Sequence, residues 1–323
     1  MTFLFLRIVS DINLIFIMKL ISCLILLLSI GYYGNAQNRI KYQSKDSIYL
    51  IPKKIEWLDL NCDDLETFEK ESEKLSNLKI IYITDCQLIK IPNSVLDVPG
   101  LKILNVSGNQ LNTIADEFQT LQKLDVINLR NNAFKKLPKV LEQFPLLREL
   151  DLGDNRQLQL NKSIGTLLSI GLLDKLYLDG TGTKSLPDKF GELHALQELS
   201  IGNNPDLDFN QLFNVLSRMK SLEILSLENS EISKLPSDLS VLPQLAGLVL
   251  DQNSEINIES VIDYIERSEN LKVLLLRNNN LSKLPKNLAG LKNLAVLELG
   301  GNQFSHEEKR RITSVLSETK VNF

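Results

Sequence analysis

The stretch LKVLLLRNNNLSKLPKNLAGLKN, residues 271–293, decides the fold, because it is one complete unit of the pattern that fills most of the chain. With Leu271 as position 1, apolar side chains fall at positions 1, 4, 6, 11, 14, 18 and 21, and Asn279 falls at position 9. Alternation at positions 4 and 6 predicts a strand with one buried face, and the later spacing predicts a helical turn. One strand and one short return segment cannot bury their apolar sides alone, so copies must stack on both sides.

The chain contains those copies in register. Position 1 recurs at Ile55, Leu78, Leu101, Leu124, Leu147, Leu173, Leu196, Leu222, Leu245, Leu271 and Leu294. This pattern resembles the leucine-rich repeat family, in its LxxLxLxxNxLxxLPxxLxxLxx form, over residues 55–304. The resemblance implies an α/β solenoid with a parallel concave sheet and with short 3₁₀ and α-helical segments on the convex side.

Two repeat lengths predict two kinds of return segment. Seven copies have 23 residues, and five of these carry proline at position 15, which restricts the preceding residue to extended conformations and leaves room for a 3₁₀ turn. The copies that begin at Leu147, Leu196 and Leu245 have 26 residues, lack that proline and have apolar residues at helical spacing. We therefore expect α-helices in these three copies.

The termini predict an exported protein with capped ends. Residues 1–36 have the pattern of a signal peptide, with cleavage before Gln37 and with Met18 as an alternative start. An uncleaved membrane anchor over residues 12–33 stays open as the other interpretation, because that stretch approaches the length of a bilayer span. Residues 37–54 are expected to cap the first of eleven repeats at residues 55–304, and residues 305–323 to form a C-terminal capping helix.

Export would permit a disulfide between Cys62 and Cys86, which lie in neighbouring repeats. Cys86 falls at position 9, which faces inward, whereas Cys62 falls at position 8 on the rim. On this basis two unpaired thiols are the favoured interpretation.

Position 9 is asparagine in seven of the copies, at Asn109, Asn132, Asn155, Asn204, Asn253, Asn279 and Asn302. A buried loop leaves backbone amides and carbonyls that must be paired, and an asparagine side chain offers both donors and an acceptor. The column is therefore interpreted as structural.

Catalytic chemistry has little support in this sequence. The two histidines, His194 and His306, lie in distant repeats, and neither belongs to a Ser/His/Asp set or to a zinc-ligand spacing. We expect no enzyme activity, no cofactor and no metal site. The net charge of −4 does not suggest a nucleic-acid partner.

Positions 3, 5, 7 and 8 are predicted to point outward from the concave sheet. Acids exceed bases there, with Asp59, Glu149, Asp151, Asp154, Asp179, Glu198, Glu228, Asp251 and Glu298 against Arg130, Lys175 and Arg277. Such a bias favours a cationic partner, and aromatic side chains can anchor one. The candidate binding residues are Trp57, Tyr82, Arg130, Asp151, Tyr177, Asp179, Glu228, Asp251 and Arg277. The alternative is that these columns only keep the sheet hydrated.

The sequence thus predicts a non-catalytic, monomeric protein of the cell envelope or exterior that binds a protein or peptide on its acidic concave face. The alternative is an N-terminally anchored structural or adhesive protein that uses the repeats as a spacer. A column of lysines at position 13 is interpreted as a solvated edge: Lys90, Lys136, Lys234 and Lys283.

Overall fold

The computed structural model describes residues 41–42, 52–235, 242 and 244–323. The predicted signal peptide or anchor lies outside these residues. The chain divides into two compact units, one over residues 38–221 and one that contains residues 222–323.

The described part of residues 38–221 contains eight strands, and each of the first seven pairs in parallel with the next strand along the chain. They are β1 (Lys41–Tyr42), β2 (Trp57–Asp59), β3 (Ile80–Tyr82), β4 (Ile103–Asn105), β5 (Val126–Asn128), β6 (Glu149–Asp151), β7 (Lys175–Tyr177) and β8 (Glu198–Ser200). The pairing joins equal repeat positions, so that Leu104 lies opposite Ile127 and Ile127 opposite Leu150. These position-4 side chains are at most 2% exposed and form the core side of the sheet.

Residues 222–323 follow the same plan. The strands are β9 (Ile224–Ser226), β10 (Gly247–Val249), β11 (Val273–Leu275), β12 (Val296–Glu298) and β13 (Lys320–Asn322), again parallel and in chain order. Each of the eleven predicted copies therefore contributes a strand at positions 3–5, and the predicted repeat solenoid is confirmed in both units.

The return segments divide by repeat length, as predicted. Proline is not required for the short form, because the copy that begins at Leu101 has Ala115 at position 15 and still forms a 3₁₀ helix. The three 26-residue copies carry α2 (Leu160–Ser169), α3 (Phe209–Leu216) and α4 (Ile258–Ile265), and the charged return segment of the first copy contains α1 (Leu65–Glu71). The described return segments of the 23-residue copies after the first are short 3₁₀ helices, at Asn93–Asp97, Asp116–Thr120, Lys139–Gln143, Asp188–Glu192 and Ala289–Asn293. Further 3₁₀ turns lie at Pro52–Lys54, Cys62–Asp64 and Ser72–Lys74. Residues 236–241, in the return segment of the copy that begins at Leu222, lie outside the described residues.

The position-9 asparagines join neighbouring copies through the loop that follows each strand. Asn155 is fully buried; its Oδ1 accepts from the Phe134 amide at 3.0 Å, and its Nδ2 donates to the carbonyls of Leu129 at 3.0 Å and Leu152 at 2.8 Å. Asn132, Asn204 and Asn253 repeat this arrangement. The column satisfies the buried backbone of the loop, as the sequence predicts.

The residue before the asparagine adopts a left-handed backbone in all but the first copy. Position 8 has φ between +48° and +71° at Asp85, Gly108, Asn131, Asp154, Gly180, Asn203, Asn229, Gln252, Asn278 and Gly301. Asparagine, aspartate and glycine tolerate this conformation better than other residues do. The residue type at position 8 is therefore determined mainly by the backbone conformation, which the sequence analysis did not recognise.

The interpretation of Cys62 and Cys86 as unpaired thiols is wrong. The two form a disulfide, with their Cα atoms 5.2 Å apart. A sequence separation of 24 residues is one repeat plus one position, and in-register stacking brings such positions to within about 5 Å of each other. The bond links the first two repeats at the rim, where Cys62 is exposed and Cys86 half-buried.

The C-terminal cap differs in part from the prediction of a helix alone. Helix α5 (His306–Val315) begins as expected, because the Ser305 hydroxyl accepts from the Glu308 amide at 3.2 Å. The sequence analysis missed β13, which pairs with β12 and continues the sheet beyond the last repeat. The Glu308 carboxylate accepts from the Leu284 amide at 2.9 Å, so it ties α5 to the preceding copy.

We expect Asn155→Ala to lower the free energy of unfolding by about 1–3 kcal/mol, because it leaves buried backbone groups without hydrogen-bond partners. Denaturant unfolding measures the change. Asn112→Ala is the matched control, since Asn112 is exposed and should change stability by less than about 0.5 kcal/mol. Equal stability of the two variants would contradict a structural role for the column.

Candidate binding surface

The sheet face is formed by the side chains at positions 3, 5 and 7 of each copy. These side chains alternate with the core residues at positions 4 and 6, so they lie on the opposite side of the sheet. Within each unit they form columns, because neighbouring strands pair equal positions.

At the beginning of the first unit the sheet face is aromatic. The rings of Trp57 and Tyr82 meet edge to face, with centroids 5.5 Å apart. Trp57 is 9% exposed and Ile80, beside it on the next strand, is 5% exposed. The two predicted aromatic anchors thus form one packed pair.

The centre of the charged part is Arg130, at position 7 of the fourth copy. Its Nη2 lies 2.7 Å from Asp154 Oδ2, and its Nη1 lies 3.8 Å from Asp151 Oδ1 and 3.9 Å from Asp179 Oδ2. One guanidinium therefore faces three carboxylates that come from the next two copies. The side chain of Asp154 is 35% exposed, whereas those of Asp151 and Asp179 are at most 8% exposed.

Arg130 can span the next copy because position 7 there is Gly153. A Cβ atom at Gly153 would lie only 2.5 Å from Arg130 Nη1 and 2.8 Å from its Cζ. Any larger residue would therefore force the guanidinium away from the carboxylates.

Asp179 is held by the following copy. Its Oδ1 accepts from the Ser200 hydroxyl at 2.6 Å and from the Gly202 amide at 2.8 Å. Its Oδ2 is buried and makes no hydrogen bond, and the nearby Arg130 Nη1 also makes none. Burial raises the pKa of Asp179, although Ser200 and Arg130 oppose the shift.

A second charged group lies on strands β6, β7 and β8. Lys175 Nζ lies 3.7 Å from Glu198 Oε2 and 3.9 Å from Glu149 Oε2, and the Tyr177 hydroxyl donates to Glu198 Oε1 at 2.9 Å. Tyr177 is 6% exposed, so its hydroxyl serves this network rather than standing free on the surface.

Together the two groups contain five carboxylates and two bases: Glu149, Asp151, Asp154, Asp179 and Glu198 with Arg130 and Lys175. Burial raises the pKa of Asp151 to about 7 and that of Glu198 to about 7, even though Arg130 and Lys175 act in the opposite direction. The bases therefore compensate only part of the negative charge.

The remaining predicted residues lie in residues 222–323. Arg277 binds Asp251 through two nitrogens, with Nε at 2.8 Å and Nη2 at 2.5 Å, and Glu228 accepts from Gln252. Asp251 is 1% exposed. This acid therefore forms an internal ion pair, and its burial raises its pKa despite the pairing.

The sequence analysis missed an apolar cluster on the same strands. It consists of Ile224, Ala246, Val249, Val273, Leu275 and Val296, each at most 6% exposed. The signal was present in the unbroken run Val273–Leu274–Leu275–Leu276, because a strand with only one apolar face would alternate. Positions 3 and 5 are thus mostly apolar on β9–β12, apart from Ser226 and Glu298, and largely charged on β6–β8.

Other chemistry is scarce in the described residues. No group of three or more His, Cys, Asp or Glu side chains there has the arrangement of a metal site. None of the helices that could be searched is long and apolar enough to cross a membrane.

Comparison with known proteins agrees with this geometry. Two models of leucine-rich repeats match the chain, one over residues 99–156 and one over residues 270–291. These matches confirm leucine-rich repeats in the chain, as its sequence pattern predicts.

Its curated relatives are much longer proteins. It is 30% identical to receptor-like protein 18 of Arabidopsis thaliana over 129 residues, which are 39% of this chain and 15% of the relative. It is 29% identical to Toll-like receptor 2 type-2 of Gallus gallus over 85 residues, which are 26% of this chain and 10% of that receptor. This chain therefore spans only a small part of these relatives.

Two solved structures share the fold. A TLR13–ssRNA13 complex has a TM-score of 0.55 at 22% identity, covering 84% of this chain and 44% of that one. The Drosophila Toll–Spatzle complex has a TM-score of 0.53 at 22% identity, covering 79% and 34%.

The raised pKa values predict how stability depends on pH. An acid whose pKa is higher in the folded than in the unfolded state favours the fold while it is protonated. Its contribution to stability is present below about pH 4 and is lost as pH rises to about 7 and beyond. We expect Asp151→Asn to be less sensitive than wild type to a change from pH 5 to pH 8 in thermal unfolding.

The matched control is Asp125→Asn, a variant at a half-buried aspartate outside these ion pairs. It should retain the wild-type pH dependence. An Asp151→Asn protein with an unchanged pH profile would contradict the buried, partly compensated carboxylate.

Proposed function

We propose that the chain is an exported, non-catalytic binding protein whose sheet face recognises a cationic protein or peptide. The observation that carries the proposal is the carboxylate excess around Arg130 and Lys175. Acids held close together by burial repel one another, and a cation supplied by a partner would relieve that repulsion.

The geometry favours an approach over β6–β8. Asp154 is the most exposed of the five carboxylates and lies beside the guanidinium that organises the cluster. A lysine or arginine of the partner would meet Asp154 first, while Arg130 and Lys175, with side chains 23% and 27% exposed, limit how deeply a cation can enter.

Two further features support this function. A structural disulfide is typical of proteins outside the reducing cytosol, and the leader-like residues 1–36 fit the same route. One solved structure with this fold, that of Drosophila Toll, is a complex with Spatzle, and we assign the same kind of role, recognition of a partner, to this repeat surface.

Affinity for a cationic partner should rise between pH 6 and pH 8. The acids must be ionised to bind a cation, and burial holds the pKa of Asp151 and Glu198 at about 7 in the free protein. Partners are captured from envelope and culture extracts on the immobilised chain, and the affinity of each purified partner is then measured across this pH range.

In the same assay, Asp151→Asn/Glu198→Gln should weaken binding by at least about 10-fold. Glu69→Gln/Glu73→Gln makes the same change in net charge at exposed positions on another surface and should bind as wild type does. Equal binding by both double variants, or partners without a basic surface, would refute the acidic site.

The number of free thiols distinguishes a cleaved from an anchored protein. With Cys62 and Cys86 paired, a chain that begins at Gln37 has no free thiol, whereas a chain that retains residues 1–36 keeps Cys23. We expect no reaction with a thiol reagent in denaturant without reductant, and two thiols after reduction. One thiol before reduction would favour the retained N-terminal segment.

A further inference from the structure

The rim of the first unit carries a strong positive patch that the acidic sheet face does not use. It lies on the loops and the first turns after strands β5, β6 and β7, in residues 131–141, 155–163 and 181–187. Glu142 and Asp188 directly follow the first and the third segment. The segments themselves contain six bases and no acid: Lys135, Lys136, Lys139, Arg156, Lys162 and Lys184. All six side chains are exposed. We call this set the basic strip.

The three segments are in direct contact. The Gln159 amide donates to the Lys135 carbonyl at 3.0 Å, and the Leu137 amide donates to the Ser163 hydroxyl at 3.1 Å. The Arg156 carbonyl lies 3.4 Å from the position that a Cβ of Gly182 would take. The six bases therefore share one surface rather than being scattered over the protein.

Their charge is mostly uncompensated. Lys184 pairs with Asp206 at 3.0 Å, where both side chains are about 70% exposed. Within the part of the chain that the structure describes, the other five bases form no ion pair. Like charges held this close repel each other, so an anionic ligand would be attracted along the whole strip.

Acids border the strip on both sides. The preceding copy places Asp116 and Glu117 at the corresponding part of its return segment, and the following copy places Asp206 and Asp208 there. All four are exposed. A broad anionic surface, such as a membrane, would meet these acids together with the bases. A narrow chain that follows the loops of the three copies, and stays clear of the exposed Asp188 at the start of the third return segment, would avoid them.

We propose that the basic strip binds a linear anionic polysaccharide. The width set by the bordering acids favours a narrow polymer, and clustered lysine and arginine side chains suit its repeated sulfates or carboxylates. The choice of a polysaccharide among linear polyanions rests on the proposed export of the protein. The basic strip and the acidic sheet face use different side chains. An experiment can therefore refute the proposed polysaccharide binding without refuting the proposed binding of a cationic partner, and the reverse also holds.

Binding is measured by calorimetry on the full chain with two probes, heparin and hyaluronan, which separate sulfate from carboxylate recognition. Neutral dextran is the negative probe. We expect one of the two polyanions to bind, with an affinity that falls as salt rises, because exposed charges are screened beyond about 8 Å at physiological ionic strength.

The test variant is Lys135→Gln/Lys136→Gln/Lys139→Gln, which should weaken polysaccharide binding by at least about 10-fold. The matched control is Lys234→Gln/Lys283→Gln/Lys286→Gln, which removes the same charge from exposed lysines in residues 222–323. The control should bind as wild type does. Equal losses in both variants would overturn the proposal, because net charge alone would then explain binding.

Vesicles of phosphatidylglycerol and phosphatidylcholine and a single-stranded oligonucleotide test the other polyanions. Tighter binding of either than of both polysaccharides, or no polysaccharide binding in dilute buffer, would overturn the proposal. Asp116→Asn/Glu117→Gln removes one acidic border. This variant should bind the polysaccharides with an affinity within about twofold of wild type. A large gain in its affinity for vesicles, so that it no longer prefers polysaccharides, would favour a membrane surface as the ligand.

Discussion

The structure depends on how each copy satisfies the backbone of the loop that follows its strand. The strands are at most three residues long, so their own ladders supply few hydrogen bonds. The chain then turns inward through a left-handed residue at position 8, and the position-9 side chain pairs with the groups this turn leaves buried. These hydrogen bonds hold each copy against the next. Because the turn has the same geometry from copy to copy, the leucine side chains of the core recur at equal positions.

A fixed period has a consequence for the sheet face. Equal positions lie side by side, so a long charged side chain either meets its own column or crosses a copy that has no side chain there. Arg130 crosses Gly153 and thereby reaches acids of two further copies. The glycine is needed for space rather than for backbone freedom, and the ion-pair network depends on it as much as on the charges.

Sequence alone predicted what the period controls. The strand positions, the helices of the 26-residue copies and the structural role of Asn155 all follow from spacing, proline and the need to pair buried amides. The disulfide was misjudged, because assigning Cys86 to an inward position ignored how close positions 8 and 9 of successive copies lie. The excess of acids on the sheet face was visible in the sequence, but the ion pairs that these acids form were not. Whether Asp251 contacts Arg277 depends on how far the two side chains extend from one copy to the next. The apolar columns of β11 were visible in the run from Val273 to Leu276 and were overlooked.

The pairing changes what an acidic surface means. A count of charges treats Asp251 and Asp179 alike, yet Arg277 binds Asp251 directly, whereas Asp179 Oδ2 lies 3.9 Å from Arg130. Where one guanidinium must serve three carboxylates, the two buried ones, Asp151 and Asp179, are only partly compensated, and burial raises their pKa values. Such a cluster contributes less to the stability of the fold than well-packed apolar residues would. Apolar residues occupy many of the same strand positions on β9–β12. The contrast between these two stretches of sheet is therefore the strongest reason to assign the charged one to recognition and not to folding.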